Sequence, residues 1–399
     1  MSLKAYNPAW AYQEAMQQAA TRWHRRGLLT AAQHQAIRAR YPLEFYRPGL
    51  FLRIGLFLFT CIGAAGAAGF LALILSDVVS SSFLKVLAFL CAAGGLAVLE
   101  MSIRGSRIYH AGADNALLYC CLGWVTVLFT GVIYDVIPLA SRDYESLGNP
   151  YLQMVLGPLF VVFLVATIRY ADRLVAAATY LLLLLLVVNA ALQVPYGQAL
   201  LPFVLMLAAV GAYWLVRQLH KRPDYLYYQP CLTLLEVLVL LTFYAAGNYY
   251  VVREANAMLS GAFTSTQIPL APVFYALTAG IPLYYIVIGL RRPSRIWLLT
   301  GLLTAACSVA TLRYYRSLLP PEIAAVLAGA VLLAVAAWAA RYLRPARHGL
   351  TSLPDDEQPP HFNLESLVVA ETAVVPQAPQ PGLEFGGGQF GGGGAESTY

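Results

Sequence analysis

The chain has 399 residues, of which 59% are hydrophobic and only 12% charged, with 26 basic against 20 acidic side chains and a formal charge of +6. Globular domains carry about a quarter of their residues as charges, so a soluble core of this composition is excluded and a membrane protein is indicated. The positive balance does not point to nucleic acid, because the basic residues are scattered through short connections and gather on no single soluble face.

Residues 1–50 read as a cytoplasmic helical hairpin. Asn7 is placed to cap a first helix with Pro8 at its first position, where a missing N–H costs nothing. Ala9, Tyr12, Met16, Ala19 and Trp23 follow at helical spacing as one apolar stripe. Gly27 is expected to end that helix in the left-handed conformation. Thr30-Ala31-Ala32-Gln33 then forms a capping box that opens a second helix through Ile37 toward Tyr41, stopped by Pro42. These first residues are polar, and the apolar stretch after them starts too late and runs too long for a cleaved leader, so the first span is expected to serve as an uncleaved anchor.

The hydrophobic block 51–343, densest at Leu181–Val188, breaks into ten windows of spanning length. They run at about 52–76, 83–103, 114–137, 150–169, 174–192, 198–217, 230–252, 271–290, 295–315 and 321–343. The fold class expected is all-α, a polytopic membrane helix bundle of about ten transmembrane helices with both termini cytoplasmic. Orientation follows from charge: with the N-terminus inside, 21 basic residues fall on the inner side and five (Lys85, Arg142, Arg253, Arg313, Arg316) outside, as the positive-inside rule requires. Arg104, Arg107, Lys221, Arg222, Arg291 and Arg292 set orientation and meet anionic headgroups. Tyrosines at helix ends (Tyr249-Tyr250, Tyr284-Tyr285, Tyr314-Tyr315) read as an interfacial belt. Residues 344–399 change character, with seven acids against one arginine after Pro345 and a glycine-rich end; this is expected to be a disordered acidic, Gly-rich cytoplasmic tail.

Candidate chemistry is sparse. All six cysteines lie inside expected spans with no CxxC pair, so neither disulfide nor zinc site is read from them. No nucleophile elbow, HExxH or phosphate loop occurs; no catalytic residue, cofactor or metal ligand is assigned. Glu236, six residues past Pro230 and so about 9 Å into the seventh span, is a costly intramembrane carboxylate that faces either an ion or proton site or a structural hydrogen bond. Asn189 and Asn248 read as interhelical hydrogen-bonding groups or as parts of the same site. An outer rim gathers Asp135, Arg253, Glu254, Arg313 and Arg316, with Arg142, Asp143, Glu145 and Glu322, as a solvated border or an outward binding mouth. Gly63, Gly66 and Gly69 with the intervening alanines should let the first span pack closely on a neighbour, and Pro158 and Pro282 fall mid-span.

Residues Trp23-His24-Arg25-Arg26-Gly27-Leu28-Leu29-Thr30, then Gln33, Ile37, Tyr41 and the Gly/Ala-rich first span, resemble the start of a bacterial family of multi-pass membrane proteins classed as a domain of unknown function. The end, Phe385 to Tyr399, is similar to the Phe/Gly-rich C-termini of some bacterial envelope proteins. The resemblance implies a bacterial cytoplasmic (inner) membrane and no particular activity. The function expected is that of a non-enzymatic envelope scaffold or regulatory protein, in contact with the lipid bilayer and with cytoplasmic protein partners through residues 1–50 and 345–399. The alternatives are a secondary transporter or ion-coupled carrier using Glu236 and, third, a membrane-embedded enzyme acting on lipid.

Overall fold

A computed structural model describes residues 3–75, 82–137, 147–291 and 294–315, with isolated positions between 323 and 341. Among the described residues every regular element is a helix, and the one bridge between extended residues joins Tyr46 to Ile108. The hairpin comprises α1 (Pro8–Arg25) and α2 (Ala31–Arg40). Its signals act as read. Asn7 accepts from Ala9 N, Thr30 and Gln33 close the capping box, and Gly27 (φ 72°) ends α1 with the Leu28 N–H reaching Trp23 O, a Schellman closure.

Nine of the described helices are long and apolar enough to cross a membrane. They are α3 (Leu50–Ile74), α4 (Phe83–Ser106), α5 (Ala113–Val136), α6 (Tyr151–Tyr170), α7 (Arg173–Leu192), α8 (Gly197–Leu219), α9 (Tyr225–Gly247), α11 (Ala271–Arg291) and α12 (Arg295–Tyr315). Each has 20 to 25 residues, about 30 to 37 Å at helical rise, enough for a hydrocarbon core. The chain is thus an all-α, multi-pass integral membrane protein. The tenth expected window, 321–343, and the tail 345–399 lie outside the described residues, apart from isolated helical positions in the former.

The spans pack mainly as sequential hairpins, α4 on α5, α6 on α7, α8 on α9 and α11 on α12, while α9 also meets α1, α7, α11, α12 and the short helix α10 (Tyr249–Leu259) and so forms the hub. A Cβ on Gly289 would come within 2.6 Å of Leu298 N, and one on Gly301 within 2.9 Å of Ile286 N; glycine is what lets the α11 and α12 backbones approach this closely.

Four expectations need correcting. The seventh span is 225–247, not 230–252: it opens before Pro230 and stops because Asn248 leaves the helix to cap α10 (Tyr249–Leu259), accepting from Val251 N. The apolar stripe of α1 is misplaced, since burial follows Tyr6, Trp10, Ala11 and Ala20 while Tyr12 and Trp23 are exposed; docking on the bundle, and not self-association of the hairpin, selects the buried face. Among the described residues the small-residue face of α3 is not a packing seam, since a Cβ at Gly63, Gly66 or Gly69 would meet nothing within 4 Å. The tyrosine pairs also split, with Tyr249 and Tyr285 buried and Tyr250 and Tyr284 exposed. Each buried ring finds partners: Tyr249 stacks on Tyr275, and Tyr285 donates to Leu240 O.

Candidate functional site

The densest polar constellation lies where the chain's first residues enter the bundle. Lys4 Nζ donates to Asp224 Oδ2 at 2.7 Å, Ala5 N to Arg169 O at 2.9 Å, and Tyr6 OH to Asp114 Oδ2 at 2.6 Å. The loop before α9, the end of α6 and the start of α5 are therefore brought to one side, the hairpin side, as antiparallel spans demand. The segment before α3 is fastened there too, by Tyr46 N to Arg107 O and Tyr109 N to Tyr46 O. Arg47 pairs with Glu14 across the hairpin.

Asp114 is fully buried in the first turn of α5, where the helix N-terminus favours a carboxylate, and it also accepts from Gly112 N at 3.1 Å. Burial, and then the Asp114 carboxylate, holds the Tyr6 phenol well above its usual range, so it stays a donor. His110 lies beside them, its ring 5.0 Å from Tyr6 and 4.8 Å from Tyr109. Burial pushes it down to about 4 against the opposing pull of Asp114 and Asp172, with Arg47 and Arg53 adding to the depression. Tyr109 is raised by burial to about 12. Asp172 caps α7, accepting from Leu174 N and Val175 N, from Asn115 Nδ2 at 2.5 Å and from Tyr119 OH at 2.9 Å. The α4–α5 loop carrying His110 has Arg107, His110 and Gly112 at φ 48°, 47° and 99°. A Cβ at Gly112 would strike Arg53 O at 2.2 Å, which fixes glycine there. Chemically, this arrangement fastens: both carboxylates are occupied by donors, and the bonds from residues 4–6 and 46 reach the ends of α4, α5, α6 and α9.

Glu236 lies eleven residues from the start of α9, but the first turn of that helix stands beside the end of α6, where Tyr228 OH donates to Ile168 O. Counted from Tyr228 the carboxylate is about 12 Å along the helix. It is buried and accepts from Trp297 Nε1 at 3.2 Å. Trp297 also lines an apolar groove of about 510 Å³ between α8, α9 and α11, walled by Tyr213, Leu240, Phe243, Ile281 and Tyr284 among others; Glu236 does not line it.

Asn189 and Asn248 are placed apart. Asn189 Nδ2 donates to Leu147 O at 2.6 Å and Asn149 O at 2.9 Å, so it holds the entry to α6. Asn248 joins a network of neutral groups linking α9, α11 and α12: it donates to Tyr244 OH (2.7 Å) and Thr311 Oγ1 (3.1 Å), Tyr244 meets Ser308 (2.9 Å), and Ser308 donates to Thr278 O (2.6 Å). The expected rim is divided. Asp135 on α5 pairs with Lys85 on α4, whereas Arg253 on α10 reaches Ser265 O at 2.6 Å and the Tyr249 ring. Glu254 lies next to it on α10 and Arg313 in the last turn of α12; Arg316, with Arg142, Asp143, Glu145 and Glu322, lies outside the described residues. Among the described rim groups, Asp135 stands on a helix that packs on α3, α4 and α6, and Arg253 and Glu254 on one that packs on α8, α9 and α11.

The hairpin-root residues Tyr6, His110, Asp114 and Asp172 were not singled out from the sequence. Asp172, one residue before the seventh helix, carried a legible N-cap signal; Tyr6 and Asp114 are 108 residues apart, and no spacing rule joins them. Among the described residues no group of three or more His, Cys, Asp or Glu is placed to hold a metal ion. Compared with protein-family models, curated proteins and solved structures, the chain matches none of them.

Proposed function

We propose that this integral membrane protein is a non-enzymatic scaffold of the bacterial cytoplasmic membrane whose hairpin is a fixed platform for an acidic protein partner. The observation that carries the reading is the contrast between the two ends of the hairpin. Its root is locked through Lys4, Ala5 and Tyr6, yet α2 buries no residue. Around the hairpin's outer turn Arg22, Arg25 and Arg26 are exposed with Trp23 and Leu28, the last 67% exposed, and Arg38 and Arg40 are exposed in the last turn of α2. No acid occurs between Glu14 and Glu44. Exposed aromatic and arginine side chains are the composition of protein-binding hot spots, and a preorganised mount lowers the ordering cost of binding. The basic excess on this side supports its being cytoplasmic.

Neither alternative gains an observation of this kind. Glu236 is covered by Trp297 and stands off the groove, and the polar rim groups on which a lipid-processing reading leans sit on separate helix groups. A photoreactive amino acid at Leu28, with one at lipid-facing Phe59 as control, tests the scaffold in cells. A protein adduct is expected from Leu28 alone and lost when Arg22, Arg25 and Arg26 become glutamate. Absence of a protein adduct at Leu28, or one indifferent to charge reversal, sinks the reading.

A further inference from the structure

We propose that the groove between α8, α9 and α11 is a binding site for one anionic phospholipid of the leaflet on the hairpin side, its acyl chain in the groove and its headgroup on Arg217 and Arg291. At about 510 Å³ the groove falls within the size range of ligand sites, and its wall is built for hydrocarbon. The polar atoms of two of its aromatic residues are turned away and already bonded: Tyr285 OH donates to Leu240 O at 3.0 Å and Trp297 Nε1 to Glu236 at 3.2 Å. What those two residues offer the groove is ring carbon.

The charge follows from register. Arg217 stands four residues beyond Tyr213 on α8, and Arg291 seven beyond Tyr284 on α11, so each guanidinium continues the helical face that lines the groove. Both are exposed and end their helices on the hairpin side, with Arg295 opening α12 next to them two residues before Trp297. The helix ends 214–219, 286–291 and 294–299 contain no acid. An arginine pair above a hydrocarbon slot matches a phosphate with a chain attached, and a concave seat among three helices contacts more of that chain than a flat helix face does.

Gly280 gives the test, because it lines the groove and a Cβ there would meet nothing within 4 Å, so a side chain can be started there to fill the groove. Delipidated full-length protein is titrated with phosphatidylglycerol and with phosphatidylcholine of the same chains, and bound lipid is counted by native mass spectrometry. Phosphatidylglycerol should bind at least tenfold tighter. Gly280→Leu should weaken it about tenfold, and Arg217→Gln with Arg291→Gln should reduce it to the phosphatidylcholine level. If phosphatidylglycerol binds Gly280→Leu as tightly as wild type, the headgroup is held without the groove and the proposal fails; if both lipids bind the wild type alike, its anionic half fails. Should a variant not fold, brominated-chain phosphatidylglycerol against wild type and Trp297→Phe reads the same point. Quenching should fall in Trp297→Phe, and equal quenching in the two overturns the seat.

Discussion

At the hairpin root the molecule buries the carboxylates of Asp114 and Asp172 beside the half-buried His110, and answers the carboxylates with phenols, an amide and backbone N–H groups. Between α9 and α12 it buries neutral groups, Tyr244, Asn248, Thr278, Ser308 and Thr311, which answer one another. The difference follows the local backbone and not depth, since Asn248 stands just past the end of α9 and Thr311 four residues from the end of α12. At the root the carboxylates lie at helix N-termini, Asp114 in the first turn of α5 and Asp172 at the cap of α7, where negative charge is favoured, whereas hydroxyls that also return a bond to the preceding turn, as Thr278 does to Phe274 O, hold helices together without any charge to neutralise. One centre should therefore answer to pH and carry large single-residue effects; the other should be indifferent to pH and spread its stability over many weak bonds.

The largest effect is expected from Asp114→Ala. It removes a buried carboxylate that accepts from Tyr6 OH and Gly112 N and leaves the phenol without its acceptor. Hydrogen bonds to a charged group contribute about 1.5–3 kcal/mol, so protection of amides in residues 3–20 against hydrogen exchange should fall roughly 10- to 150-fold, with α9–α12 unchanged. A loss spread evenly over all spans would mean that the root is not a separate fastening and would break the comparison.

Next comes acidification. Burial holds His110 at about 4, below its ordinary value near 6.5, so the docked state binds the proton less well than the undocked one. Docking is then full above about pH 6.5 and is lost as pH falls toward 4. Between pH 7 and 5, exchange in residues 3–20, corrected for its intrinsic pH dependence, should rise roughly tenfold. His110→Gln should flatten the profile, and the α9–α12 amides should show none of it. A profile unchanged in His110→Gln assigns the titration to another group.

Asn248→Ala should act more weakly. It removes the α10 cap and the bonds to Tyr244 and Thr311; a cap is worth about 1 kcal/mol, and hydrogen bonds between membrane helices average about 0.6 kcal/mol. A fall of about 1–2 kcal/mol in denaturant-induced unfolding is expected, unaltered between pH 5 and 8. A larger loss would show that the neutral network acts as one cooperative unit.

How far the sequence carried these centres depends on the range of the contacts. Helix starts and stops were legible where local chemistry decides them: Asn7, Gly27 and the Thr30–Gln33 box act within a turn, and apolar length alone located eight of the nine described spans to within a few residues. The seventh span was misjudged because Pro230 reads as a helix start in water, whereas in a membrane bundle it sits inside the second turn. The hairpin's buried face was misread because periodicity shows that an apolar stripe exists without showing what it meets. The root was invisible for the same reason, since Tyr6, Asp114 and Asp172 become one site only through the packing of α5, α6 and α7. Glu236 drew attention as a lone acid in a hydrophobic run, but its partner, an indole N–H 61 residues later, had no signature of its own.

Glu236 stands between the two kinds of centre, a carboxylate set within a span and met by one neutral donor, and it should give the smallest effect. In Glu236→Gln the side-chain oxygen still accepts from Trp297 Nε1, so unfolding free energy should change by no more than about 0.5 kcal/mol. Glu236→Leu leaves the indole N–H without a partner and should cost about 1 kcal/mol. The pair of variants separates hydrogen bonding from charge. If glutamine matches wild type and leucine does not, the acid serves as an acceptor for the α9–α12 contact and belongs with the neutral network. Should glutamine prove as damaging as leucine, the negative charge itself is required, and a cation would have to meet it at that depth. Ion uptake into vesicles containing wild type and Glu236→Gln then becomes the decisive measurement, and a difference between them would restore the carrier reading at the expense of the scaffold.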